Sequence, residues 1–138
     1  MFITLLQSTV GVIYGDFVCI LTESHRQLET RFWVKYFPTT VESEKKRYPD
    51  IPTIIDSAKN AGLERHKIVV TDKETEFTIA VDFVNLVENK GYSMFRLIED
   101  SDYEAGLAAL KKDYENQTVL YSNHGETLMW LRKGAQNG

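Results

Sequence analysis

The chain is short of several things, and each shortage removes a class of function. It has one cysteine, Cys19, in 138 residues. A lone thiol closes no internal disulfide, so a disulfide-framed secreted scaffold is ruled out and a reducing, cytoplasmic setting is expected. Basic residues are outnumbered, 16 against 20 acidic, for a formal net charge of −4. No broad positive field results, and nucleic acid is not an expected partner. The eight glycines never gather into a phosphate-cradling loop. The nearest approach, Gly11-Val12-Ile13-Tyr14-Gly15, lacks a strand-to-helix break with a flanking acid. There is no P-loop, no nucleophile elbow and no histidine pair at metal spacing. His25, His66 and His124 fall on three separate elements, so no metal site is expected. Residues 2–21 are rather apolar, but Gln7, Ser8, Thr9 and Asp16 interrupt them. They also lack the basic start of a signal peptide and fall short of the about 20 apolar residues of a membrane span.

What is present fits one globular domain, residues 1–138, with 43% hydrophobic and 26% charged side chains. A chain of this length buries a sizeable core without staples. Residues 2–8 and 17–22 read as strands. Phe17-Val18-Cys19-Ile20-Leu21 is a nearly continuous apolar run, the pattern of a strand covered on both faces. Ser24 and Gln27 form a capping box that opens a helix to about Tyr36, with Phe32, Trp33, Tyr36 and Phe37 on one aromatic face. Pro38 ends it. Residues 38–49 read as a polar link.

Asp50-Ile51-Pro52 starts the next helix and Gly62 closes it. Strands are expected near His66–Thr71 and Glu76–Ile79. A helix from Ala80 to near Gly91 follows, then one opened by a Ser101/Glu104 capping box. Thr118–Ser122 and Thr127–Arg132 read as a closing hairpin. The order is α/β, with antiparallel strands at the C-terminal end and helices packed on the sheet. A sheet built only from these strands leaves a long edge open. That edge calls for a partner chain or a second copy.

Polar side chains concentrate in Thr22-Glu23-Ser24-His25-Arg26-Gln27, directly after the apolar strand. Ligands of open α/β sheets bind beyond the carboxyl ends of strands, and helix N-termini favour anions. His25 and Arg26 are therefore candidate ligand-facing residues, and simple capping by Ser24 with both side chains in water is the plainer alternative. Tyr48 joins them in a third reading, a small anionic substrate on an independent enzyme. Cys19, inside an apolar strand, reads as an inert core thiol. The aromatic helix face reads first as core and second as a wall for a substrate or partner.

Several segments in order resemble one family. Gly15-Asp16-Phe17-Val18-Cys19-Ile20-Leu21-Thr22 resembles the fifth strand of class I S-adenosylmethionine-dependent methyltransferases, with Asp16 where a second glycine is usual. Ser24-His25-Arg26-Gln27-Leu28 and Tyr36-Phe37-Pro38 resemble the helix and loop after that strand. Arg47-Tyr48-Pro49, Ile51-Pro52-Thr53-Ile54 and Ala61-Gly62-Leu63 resemble the next helix and its exit. Asn89-Lys90-Gly91-Tyr92-Ser93-Met94 with Leu97-Ile98 resembles a late insertion, and Thr127–Lys133 the closing antiparallel strand.

The resemblance covers about residues 15–133 and implies a partial Rossmann-like sheet. It also implies S-adenosylmethionine as the cofactor of the whole enzyme. The glycine-rich turn and the acidic ribose-binding residue that hold this cofactor have no counterpart here. The resemblance therefore implies a substrate-side, C-terminal half that is inactive alone and does not bind the cofactor by itself. His25 and Arg26 stand where relatives place substrate-side groups. By this resemblance the chain is half of a split enzyme completed by a cofactor-binding partner chain, a truncated relic, or a fragment of a longer gene product. The alternative function is a non-enzymatic interaction or homodimerisation module.

Overall fold

The structure, a computed structural model, describes residues 2–6 and 9–134, with side chains from Gly11 onward. The chain mixes helices with antiparallel sheets and divides into two compact units, each with its own core. The described residues of the first fall within 1–28, 47–72 and 125–134, and those of the second within 29–46 and 73–124.

The first unit is built on a five-stranded sheet in the order β1-β2-β3-β7-β4. Its strands are β1 (Phe2–Leu6), β2 (Thr9–Tyr14), β3 (Phe17–Thr22), β4 (Leu63–Val70) and β7 (Thr127–Lys133). Every neighbouring pair is antiparallel, so β3 and β4 run in the same direction on either side of β7. Cross-strand register sorts the side chains. Val18 pairs with Leu131 and Ile20 with Met129, and Ile68 joins Met129 from β4. Helix α3 (Ile51–Asn60) packs Ile54 and Ala58 onto this set, all four sheet residues Val18, Ile20, Met129 and Leu131 being buried. The helix begins as the sequence reading expects. Asp50 caps it by accepting from the Ile51 N–H at 2.9 Å, and proline occupies the first turn. It ends at Gly62, whose φ of +84° is the left-handed turn that glycine adopts without strain.

The opposite face carries Phe17, Cys19 and Leu21 of β3, and its side chains are half-buried or, at Leu21, exposed. The expectation that Phe17–Leu21 is covered on both faces therefore holds for one face only. Strand β2 was not anticipated, because Gly11 sits in the middle of it. A Cβ there would lie 2.7 Å from Val18 Cγ1, so the position takes glycine for close packing rather than for a turn.

The second unit pairs β5 (Lys73–Phe77) with β6 (Leu120–His124) in a two-stranded antiparallel sheet. Helices α2 (Thr40–Arg47), α4 (Val81–Glu88) and α5 (Asp100–Glu115) accompany it, with 3-10 turns at Phe32–Lys35 and Ser93–Arg96. Its core gathers Tyr36, Phe37, Val84, Val87, Phe95, Tyr103 and Leu110. The core reading of the aromatic run holds: Tyr36 and Phe37 are buried, and Phe32 and Trp33 pack against the cluster.

Four local expectations are corrected. The helix from Ser24 to Tyr36 is a five-residue α1 (His25–Glu29) followed by the 3-10 turn. The polar link contains α2, whose Thr40 and Glu44 are buried; Glu44 sits 3.6 Å from Arg31, and the Thr40 hydroxyl donates to the Phe37 carbonyl at 2.6 Å. The closing hairpin does not form, since β6 pairs with β5 while β7 pairs with β3 and β4. The Ser101/Glu104 box also fails: α5 is preceded by Glu99, without a side-chain cap, and Ser101 lies inside the helix.

Candidate functional site

The polar run after β3 closes on itself. The Ser24/Gln27 capping box is complete: the Gln27 N–H donates to Ser24 Oγ at 3.1 Å, and the Ser24 N–H donates to Gln27 Oε1 at 2.9 Å. Gln27 is nevertheless more than a cap, because it is fully buried. Its Oε1 also accepts from the buried Thr127 hydroxyl at 2.7 Å, and its Nε2 donates to Asp72 Oδ1 at 2.8 Å. Asp72 follows β4 and Thr127 opens β7, so the amide ties together one end of three adjacent strands, the carboxyl ends of β3 and β4 and the start of β7. A buried amide is tolerated only when its donors and acceptors are met, and here they are.

Arg26 and His25 go to different neighbours, as consecutive helical residues do. Arg26 Nη2 donates to Asp72 Oδ2 at 2.5 Å, with its side chain 57% exposed against 22% for Asp72. His25 is fixed at both ends. Its backbone N–H donates to Asp50 Oδ1 at 3.0 Å, and its Nε2 lies 2.7 Å from the Tyr48 carbonyl, the distance of a donated hydrogen bond. Tyr48 thus enters through its backbone.

The anion-binding argument for the start of this helix is overturned. Helix α1 is little more than one turn, too short for an appreciable dipole, and the N–H groups of Ser24, His25 and Gln27 are already bonded. The guanidinium of Arg26 is a solvent-facing cation beyond β3, paired with Asp72.

Sequence reasoning missed Asp72 and Thr127. The rule that ligands gather beyond strand carboxyl ends pointed to Asp72 as well, since it follows a strand that was read in the sequence. Thr127 carried no such signal, because its partner is 100 residues away.

A cavity of about 620 Å³ opens at the other ends of the strands, lined by Gly15, Asp16, Lys59, Gly62, Glu64 and Lys133 among others. It contains none of the residues of the Thr22–Gln27 run. Among the described residues no three His, Cys, Asp or Glu side chains converge to hold a metal ion, and no helix is long and apolar enough to cross a membrane. Comparison of the chain with family models, curated proteins and solved structures finds no match.

Proposed function

We propose that the chain is the substrate-side part of a class I S-adenosylmethionine-dependent methyltransferase. Its Rossmann-like portion is the β3-β7-β4 segment of the first unit, and its working place is a reducing, cytoplasmic compartment. One observation carries the reading. The segment that resembles the closing antiparallel strand, Thr127–Lys133, runs antiparallel between β3 and β4, which run parallel to each other. The polar cluster lies beyond the carboxyl ends of β3 and β4, where an α/β enzyme places its ligand. The antiparallel β1–β2 extension adds nothing to this support.

In this reading the chain's own residues bind and orient the methyl acceptor. Arg26, exposed and held by Asp72, meets an anionic group of the acceptor. Gln27 and Thr127 hold Asp72 and the start of β7 in place, and His25 braces α1 against the start of α3. S-adenosylmethionine would supply the methyl group. The 138 residues contain no glycine-rich turn to hold it, so that task falls to another stretch of polypeptide.

Two measurements test this. Calorimetric titration of the chain with S-adenosylmethionine is expected to show no micromolar binding; micromolar affinity would remove the division of labour. Sequencing upstream of Met1 is expected to reveal an in-frame or adjacent segment encoding a strand, a glycine-rich turn and a helix. A locus without one overturns the reading. A second reading, an association module, is favoured by the partly exposed apolar sheet face of the first unit.

A further inference from the structure

The antiparallel sheet of the first unit breaks the usual alternation. Such a sheet commonly has one face in the core and one face polar. Here β3 and β7 are apolar on both. Register places Val12, Cys19, Trp130 and Lys67 in one row across the second face. Tyr14, Phe17, Arg132 and Glu64 form the next row, and Leu21, Leu128 and Val69 a third. Helix α3 covers the other face. On this one Tyr14 is 76% exposed, Leu21 60% and Val12 42%, and Phe17, Cys19, Leu128, Trp130 and Val69 are half-buried. Phe17 meets Trp130 edge-on at 6.2 Å and His66 at 5.0 Å, so the aromatic centre of the face is already ordered.

We propose that this face is a self-association surface and that its occupant is a second copy of the chain, packed sheet on sheet about a two-fold axis. Three observations select that occupant. The first is area. On ordinary side-chain areas the three rows offer roughly 800 Å² of accessible surface, close to the ~800 Å² that each side of a stable interface contributes. The second is composition. Aromatic residues and an arginine around an apolar centre, with charges at one margin, is the make-up of an interface rather than of a solvated sheet. The third is charge. The margin holds Lys67 and Arg132 together with Glu64, so a two-fold copy brings both signs to each side rather than one sign against itself.

The β4 edge is an unsuitable route. Its exposed Glu64, Arg65, His66 and Lys67, with a register shift between Arg65 and Lys67, are the features that blunt an edge strand. The proposal does not rest on the methyltransferase reading.

Cys19, the single thiol, lies in the middle row and reports on the face directly. The experiment is sedimentation of the full chain across the micromolar range, with the rate of Cys19 labelling by a thiol reagent measured at each concentration. The expected result is a mass that doubles with concentration while labelling slows in step. Leu21→Glu and, separately, Val12→Lys place a charge at exposed positions and are expected to abolish the dimer. Both should leave the circular dichroism unchanged and labelling independent of concentration.

A wild-type monomer with freely reactive Cys19 overturns the proposal, as does open-ended assembly beyond two copies. A monomer with a protected thiol overturns it too, since the face is then covered from within the chain. A dimer that survives both substitutions places the contact elsewhere and also overturns it. None of these outcomes bears on donor binding, so failure here leaves the methyltransferase reading to its own titration.

Discussion

Replacing Gln27 with leucine tests the polar cluster most directly. The residue is fully buried, and its side chain accepts from the Ser24 N–H at 2.9 Å and from the Thr127 hydroxyl at 2.7 Å and donates to Asp72 Oδ1 at 2.8 Å. Leucine nearly matches the volume, so packing changes little and the loss is polar. Each neutral bond is worth about 1 kcal/mol and a bond to a charged group about 1.5–3 kcal/mol. Ser24 is half-exposed, so water replaces part of its loss, whereas the Thr127 hydroxyl is enclosed. The expected cost is roughly 3 kcal/mol, a large share of the 5–15 kcal/mol that holds a domain folded. Urea unfolding followed by circular dichroism reads it as a lower midpoint at unchanged slope. If the two units unfold separately, the loss falls on the transition of the unit that contains the five-stranded sheet. Thr127→Val removes one bond and is expected to cost about 1 kcal/mol in the same assay. A Gln27→Leu variant within about 1 kcal/mol of the parent would refute the reasoning, because no enclosed network can lose its hub so cheaply.

Two predictions concern the second unit. In α5, a Cβ on Gly106 would stand 2.3 Å from Phe37 Cε1 and 2.5 Å from the Tyr36 carbonyl oxygen. Gly106→Ala gains about 1 kcal/mol of helix propensity, but overpacking costs about 1–3 kcal/mol and sits at the upper end here because a backbone oxygen cannot give way, so a net loss of about 2 kcal/mol is expected. A raised urea midpoint would show that α5 does not pack on Phe37. The Tyr36 hydroxyl donates to Asp113 Oδ2 at 2.7 Å. That bond, then those from Lys35 and Thr118, hold the Asp113 carboxyl below its ordinary value of 3.8, while burial and then Asp113 hold the Tyr36 phenol above its ordinary 10.0. The depressed carboxyl gives stability that is present above pH 3.8 and lost as pH falls through its lower folded value. The raised phenol gives stability that is present below pH 10.0 and lost as pH rises beyond it. A pH series of unfolding midpoints should show both limbs, and Tyr36→Phe should weaken both, the alkaline one persisting in part because burial also raises the Tyr103 phenol.

Local chemistry was legible in the sequence wherever it is decided by residues within a few positions of one another. The Ser24/Gln27 box and the Asp50-Ile51-Pro52 start with its Gly62 exit all form as read, because each rests on bonds inside one turn. Strands β3 and β7 were legible from their apolar runs. What escaped depends on distant partners. Helix α2 looked like a solvated link because its charges were read as facing water, yet Glu44 is buried beside Arg31. Strand β2 was hidden by Gly11, which reads as a breaker until Val18 is known to lie against it. Residues 118–132 look like a hairpin locally, and no local signal tells that β6 has its partner in Lys73–Phe77. Ser101 shows the opposite error: the spacing to Glu104 satisfies the box, but the helix starts two residues earlier than that box implies and the serine is carried inside.

The site divides along the same line. His25 and Arg26 were grouped by adjacency, and the structure separates them by what holds each one. His25 is pinned through its backbone to Asp50 and through its ring to the Tyr48 carbonyl, so moving it detaches α1 from the start of α3. Arg26 is joined to Asp72 at a position 57% exposed to solvent, where an ion pair contributes less than about 1 kcal/mol. Asp72 keeps its second oxygen on Gln27 whether or not the arginine stays. The guanidinium can therefore exchange Asp72 for an anionic ligand at small cost without disturbing the buried amide. Under the reading proposed above, Arg26 is the residue of the two singled out in the sequence whose side chain is held by an exposed ion pair alone, and it is the one to test for contact with an anionic acceptor.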